Sequence, residues 1–170
     1  EQLLERMGNN QDDLYILGQP PNDTDVTAEP FLENPLVVLA PAHHALAHEK
    51  NISLKRLAEE PFLLREPGSG TRIATERAFA EHGLRINMRM ELGSNEAIKQ
   101  AVVGGLGVSV LSNHTLTLDA PTGQFVVLNV QGFPILRHWY RGHPGGKQLS
   151  ILTRAFIDYL RETSQTLGAP

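Results

Sequence analysis

Apolar positions along this chain follow two spacings in turn, one near two and one near 3.6 residues, and the switches between them separate strands from helices. Leu3, Leu4 and Met7 open a short helical stretch that stops at Gly8. "DLYILG" (Asp13 to Gly18) reads as a short buried strand ending in a Gly18 to Pro21 turn, and the polar "NDTDVTAEP" (Asn22 to Pro30) reads as a connector. "PLVVLA" (Pro35 to Ala40) is a β-branched run bounded by prolines, the form of a strand buried on both faces. In "ISLKRLAEEP", Ser53 is placed as an N-cap, Leu54, Leu57 and Ala58 share a face, and Pro61 stops the helix.

The next stretch repeats one grammar twice. "FLL" (Phe62 to Leu64) is a buried strand, a Gly/Ser/Thr turn follows, and a helix turns Ala74, Ala78 and Phe79 inward before Gly83 at its C′ position. "MRMELG" (Met88 to Gly93) is a strand, Ser94 an N-cap, and Ala97, Ile98, Ala101 and Val102 a buried stripe. Gly104, Gly105 and Gly107 then release the chain into the strand "VSVL". "QFVVLNV" and "RHWYRG" add two strands, and "SILTRAFIDYL" is an amphipathic helix through Leu152, Ala155, Phe156, Tyr159 and Leu160. Strands alternating with helices of this length predict an α/β fold with βαβ units and a mainly parallel sheet.

Composition narrows the function classes. At 170 residues, 41% hydrophobic and 20% charged, the chain supports one sizeable domain or two lobes. It has no cysteine, which removes disulfides and thiolate metal sites and fits a reducing, cytoplasmic setting. No apolar run reaches the roughly 18 to 20 residues that span a bilayer, and the start carries no signal-peptide core. A net charge of −4, with basic residues scattered among acids, argues against a nucleic-acid grip by this chain itself. The start in mid-helix pattern predicts a fragment of a longer protein.

The candidate chemistry sits in "REPGSGTR" (Arg65 to Arg72). In open α/β sheets the ligand crevice lies at the carboxyl ends of the strands, where helix N-termini present backbone N–H groups and partial positive charge. Two such ends are predicted, one over Gly68, Ser69, Gly70 and Thr71, the other at Ser94 and Asn95. Glycines let an anion approach the backbone, and hydroxyls add donors. Each of Ser69, Thr71 and Ser94 also has a plainer use as the cap of its own helix. Arg65 and Arg72 flank the turn and are candidate anion partners, with pairing to Glu66 or Glu76 as the competing use.

Other motifs fail on spacing. His44 and His48 stand four apart, but "HHALAHE" follows a strand exit and fixes no third ligand, so no metal is assigned. "GHPGGKQ" lacks the Walker spacing, no strand–GxGxxG–helix unit is present, and "PGSGT" is not a nucleophile elbow. No catalytic residue and no cofactor is nominated.

The ordered set "LVVLAPAHHALA", "ISLKRLAEEPFLLREPGSGTR", "MELGSNEAIKQAVVGGLGVSVLS" and "HWYRGHPGGKQLS" with "FIDYL" closely resembles the effector-binding domain of LysR-type transcriptional regulators. Within them, "ELGSNEAIKQAVVGGLGVSVLSNHTL" looks most like regulators of carbon-fixation operons. The resemblance implies a two-lobed, type 2 periplasmic-binding-protein-like fold with an effector cleft, divided as 1–35 (first lobe, partial), 36–138 (second lobe) and 139–170 (return to the first lobe). It implies that the winged helix-turn-helix and the opening part of the first lobe are absent, so DNA is met only through that missing domain. It further implies a homo-oligomer, dimer or tetramer, when full length. The loop matching Pro67 to Thr71 contacts effectors in the family. For carbon-fixation regulators the implied partner is a small anionic metabolite: a sugar phosphate such as ribulose bisphosphate, an organic acid such as phosphoenolpyruvate, or a nicotinamide nucleotide. The rival reading is a free-standing solute-binding protein of the same fold that carries a small anion.

Overall fold

The computed structural model describes residues 2–19, 25–116 and 123–167. The chain divides into two units, Glu1–Asn34 with Arg137–Pro170, and Pro35–Leu136. Among the described residues, no helix is long and apolar enough to cross a membrane.

The first unit holds α1 (Gln2–Gly8), β1 (Tyr15–Leu17), β2 (Val26–Glu33), β8 (His138–Pro144) and α5 (Ile151–Leu167). Its three strands form an antiparallel sheet in the order β1-β8-β2. Met7, Tyr15 and Leu17 are buried together, with Val26 and Tyr140 against them. Of the expected turn and connector, residues 20–24 lie outside the described residues. The rest of the connector is corrected: Val26 to Pro30 begins an eight-residue strand. Polar composition concealed it because β2 is an edge strand, and Pro30 sits beside a register shift where no ladder donor is needed.

Lysine 147, the cation of "GHPGGKQ", has a structural use. Lys147 Nζ lies 2.8 Å from Asp13 Oδ1 and donates to Asn10 Oδ1 (2.8 Å) and the Asp12 carbonyl (2.9 Å), tying the segment after β8 to the loop before β1. The expectation for α5 fails in part. Leu152, Phe156 and Tyr159 are 80%, 48% and 59% exposed, and Ala155 is exposed too. The covered side runs instead through buried Thr153 and half-buried Ile157 and Leu160. Periodicity locates an apolar stripe but does not state what lies over it.

The second unit holds β3 (Leu36–Pro41), α2 (Leu54–Leu57), β4 (Phe62–Arg65), α3 (Gly70–Ala80), β5 (Met88–Leu92), α4 (Asn95–Val103), β6 (Ser109–Ser112) and β7 (Phe125–Leu128). Ser53 caps α2 as expected, its Oγ accepting the Arg56 N–H at 3.2 Å. β3 is buried at every position and lies between β6 and β7, antiparallel to both. The expected predominance of parallel pairing is therefore corrected: of the named strand pairs only β4 and β5 run parallel. A continuous apolar run reports cover on both faces, not strand direction, and β3 has that cover within an antiparallel trio.

Alternation along the strands feeds two cores. Leu36, Val38 and Ala40 of β3 and Phe62 and Leu64 of β4 face one cluster, where α3 contributes Ala74 and Phe79. Val37, Leu39 and Leu63 face the other, where α4 contributes Ile98 and Val102. Phe62 and Phe79 meet edge to face, with ring centroids 5.4 Å apart. Helices α3 and α4 thus cover opposite faces of the strands between which they run. β4 is central, because Phe62 also bridges in parallel to Val108 beside β6. Two buried hydroxyls are paired: Ser109 Oγ donates to the Leu63 carbonyl at 2.7 Å and Thr75 Oγ1 to the Thr71 carbonyl at 2.8 Å.

Candidate anion site

The chain leaves β4 for β5 through α3 and returns past β4 to β6 through α4. Helix N-termini following adjacent parallel strands therefore open at one edge, the geometry of a crevice at strand carboxyl ends. The register pairs Arg65 with Leu92 at that edge, one residue before each turn begins.

The first turn runs from Glu66 to Ser69 and is closed by the Ser69 N–H donating to the Glu66 carbonyl at 3.2 Å. Gly68 has φ +85°, a left-handed conformation that side chains resist, and a Cβ there would meet open space. The glycine is therefore required by the bend and not by crowding. Pro67 and Gly68 are exposed, while Ser69, Gly70 and Thr71 are half-buried. Ser69 occupies the N-cap position of α3 yet makes no side-chain cap hydrogen bond. Ser94, by contrast, caps α4 as the plainer reading expects, its Oγ accepting the Ala97 N–H at 3.1 Å. The two hydroxyls, alike in sequence, differ in use.

Arg65 joins the two turns. Its Nη1 donates to Asn95 Oδ1 at the start of α4, while Nε and Nη2 each donate to a Glu66 carboxylate oxygen at 2.7 Å. The hydrogen bond from Arg65, with its charge adding to it, holds the Glu66 carboxyl below the usual carboxylate range against the cost of burial. Arg72 is more fully committed. It pairs with Glu76 (2.7 Å) and Glu91 (2.6 Å) and donates to the Arg65 carbonyl at 3.0 Å, so it braces the end of β4. Sequence reasoning named Glu66 and Glu76 as partners but missed Glu91, and it named Asn95 as a candidate for the anion without pairing it to Arg65. Glu91 was reachable in principle, since parallel pairing of β4 and β5 brings it beside the turn.

The histidine segment is occupied locally. His44 Nδ1 accepts the Leu46 N–H at 3.2 Å, capping the one-turn helix Ala45–His48, and its Nε2 lies 3.5 Å from Glu60.

A mixed α/β chain in two units, with paired helix N-termini beside a parallel strand pair, defines a periplasmic-binding-protein-like effector domain as its class. The chain belongs to the LysR substrate binding domain family, whose model matches residues 1–165. It is 54% identical over 160 residues to the HTH-type transcriptional activator CmpR of Synechocystis, covering 94% of this chain and 53% of that protein. The RuBisCO operon transcriptional regulator of Acidithiobacillus ferrooxidans is also 54% identical over 160 residues, covering 94% and 52%. The chain thus spans about half the length of these curated relatives. Among solved structures, the regulatory domain of Synechocystis CcmR in complex with 2-PG superposes with a TM-score of 0.94 at 48% identity, covering 99% of this chain and 81% of that one. The effector-binding domain of QuiR with shikimate shares the fold at 20% identity, with a TM-score of 0.83 and coverage of 97% and 78%.

Proposed function

We propose that this chain is the effector-sensing part of a LysR-type transcriptional regulator of carbon-fixation genes. In this reading Pro67 to Thr71, Ser94 and Asn95 hold a small anionic metabolite. The observation that carries it is the Arg65 side chain, which joins the two strand-to-helix turns at one sheet edge through Glu66 and Asn95 and so brings a guanidinium between them. Ser69 supports the reading, because a hydroxyl at an N-cap that caps nothing is left for a ligand.

The relatives named as activator and operon regulator favour a regulator over a free-standing solute-binding protein. DNA binding and self-assembly belong, in this proposal, to the full-length protein in the cytoplasm. The 2-PG of the CcmR complex suggests a phosphate-bearing acid as effector, ahead of a nicotinamide nucleotide. An effector shifts a conformational equilibrium only by its difference in affinity for the two states, so sensing requires contacts made better in one of them.

The test is a calorimetric titration of the full-length protein with 2-phosphoglycolate, beside the Ser69→Ala/Thr71→Ala double variant. Loss of at least about tenfold in affinity, equal to about 1.4 kcal/mol, is expected from two missing donors to a charged group. Equal binding by the two proteins rejects the turn as the site.

A further inference from the structure

We propose that the acidic group of the effector binds the Nε/Nη2 edge of Arg65, and that Glu66 is a built-in competitor which occupies this edge until the effector displaces it. The inference rests on the turn being the anion site and adds to that reading a mechanism that sets affinity. A guanidinium meets a carboxylate or phosphate best through two parallel N–H groups, and Nε with Nη2 forms such an edge. Glu66 fills it with both carboxylate oxygens, each 2.7 Å from its nitrogen. The protein thus presents to itself the chemistry that an oxyanion ligand would bring.

Burial decides which partner leaves. The Arg65 side chain is 18% exposed and is also held through Nη1 by Asn95, whereas the Glu66 side chain is 40% exposed. Glu66 can turn to water and recover its hydration, while Arg65 stays between the two turns. The backbone of Glu66 is fixed independently, because its carbonyl accepts the Ser69 N–H. Displacing the carboxylate therefore leaves the turn intact. Arg72 offers no equivalent, since its guanidinium spans Glu76, Glu91 and a main-chain carbonyl at once.

Competition of this kind weakens every ligand that needs the edge by the same factor, the fraction of time the edge is open. If the internal pair is closed for about nine-tenths of the time, apparent affinity falls about tenfold. A carboxylate attached to the adjacent residue acts at an effective concentration of order millimolar or above, so dilute acids do not open the edge, and the response is set to higher effector levels.

The experiment is a titration of the full-length protein with 2-phosphoglycolate and, separately, inorganic phosphate, using wild type, Glu66→Gln, Arg65→Gln and the double variant. Glu66→Gln is expected to tighten both ligands about tenfold, and that gain is expected to vanish when Arg65 is already Gln. A gain that persists without Arg65 reports simple relief of charge repulsion and overturns the proposal, as does an unchanged affinity in Glu66→Gln. Wild-type binding that is indifferent to the Ser69→Ala/Thr71→Ala change removes the anion site itself and the inference with it. Binding that depends on Ser69 and Thr71 but ignores Glu66 overturns only the competition.

Discussion

Replacing Gly107 by Ala tests how the strand that carries the turn is held. A Cβ at this position would lie 2.2 Å from the Pro61 carbonyl oxygen and 3.0 Å from its carbon. Even a close carbon–oxygen contact is about 3.3 Å, so one strand must retreat by roughly 1 Å. The Pro61 carbonyl has nowhere to go, because it accepts the Val108 N–H at 2.9 Å, and the Leu63 N–H donates to the Val108 carbonyl at 2.9 Å. Breaking these two bonds in a buried setting costs about 1 to 1.5 kcal/mol each. A total near 3 kcal/mol lowers the melting temperature by about 6 to 12 °C for a domain of this size. The assay is thermal unfolding together with native-state hydrogen exchange, where the Leu63 and Val108 amides are expected to lose about a hundredfold protection. Gly8→Ala is the control, since among the described residues no atom beyond its own helix backbone and chain neighbours lies within 4 Å of its Cβ. If Gly107→Ala melts within a degree of wild type with both amides still protected, the account of β4 and β6 locked through this glycine is wrong.

Two further outcomes follow from hydroxyl use and from charge. Ser94→Ala is expected to lose about 1 kcal/mol of stability because it removes a cap, whereas Ser69→Ala, which removes none, is expected to change stability by less than about 0.5 kcal/mol. Urea unfolding distinguishes them, and equal losses would show that the structure misassigns the two serines. Glu29 receives a hydrogen bond from buried Arg141, and this bond, followed by the charge of Arg141, holds its carboxyl below the ordinary range. A lowered carboxylate stabilises the fold above its unfolded pKa, and that contribution is lost as pH falls through the folded value. The stability gap between wild type and Glu29→Gln is therefore expected at pH 7 and should close as the pH falls below about 4. A gap that stays constant with pH would show that the ion pair is not its source.

Much of the second unit was legible because its signals are local. Ser53 and Ser94 cap their helices as placed. Gly83 ends α3 at C′, with Gly83 N–H bonded to the Ala80 carbonyl (2.9 Å) and Leu84 N–H to that of Phe79 (3.0 Å). Phe79, Ile98 and Val102 are buried on the predicted faces, though Ala97 of the same stripe is exposed. The turn with its glycines was equally visible as a turn, since Gly/Ser/Thr between a strand and a helix marks a helix start. Less legible was the role of each polar atom within it: nothing in "PGSGT" and "GSN" says that Ser94 caps its helix while Ser69 does not.

The sequence by itself determined the approximate place of most strands and helices, the α/β class, the position of the Gly/Ser/Thr turn and the family resemblance. All of these depend on residues within a few positions of one another or on ordered motifs. Tertiary structure alone decided that β3 is flanked by antiparallel neighbours, that Val26 starts a strand, and that all of the apolar stripe of α5 but Leu160 is exposed among the described residues. It alone decided that Arg65 reaches 30 residues along the chain to Asn95. Pairing direction, cover and such long reaches are set by which distant segments meet. A periodicity of two or of 3.6 records only that a face is apolar, and carries no address for the surface that will meet it.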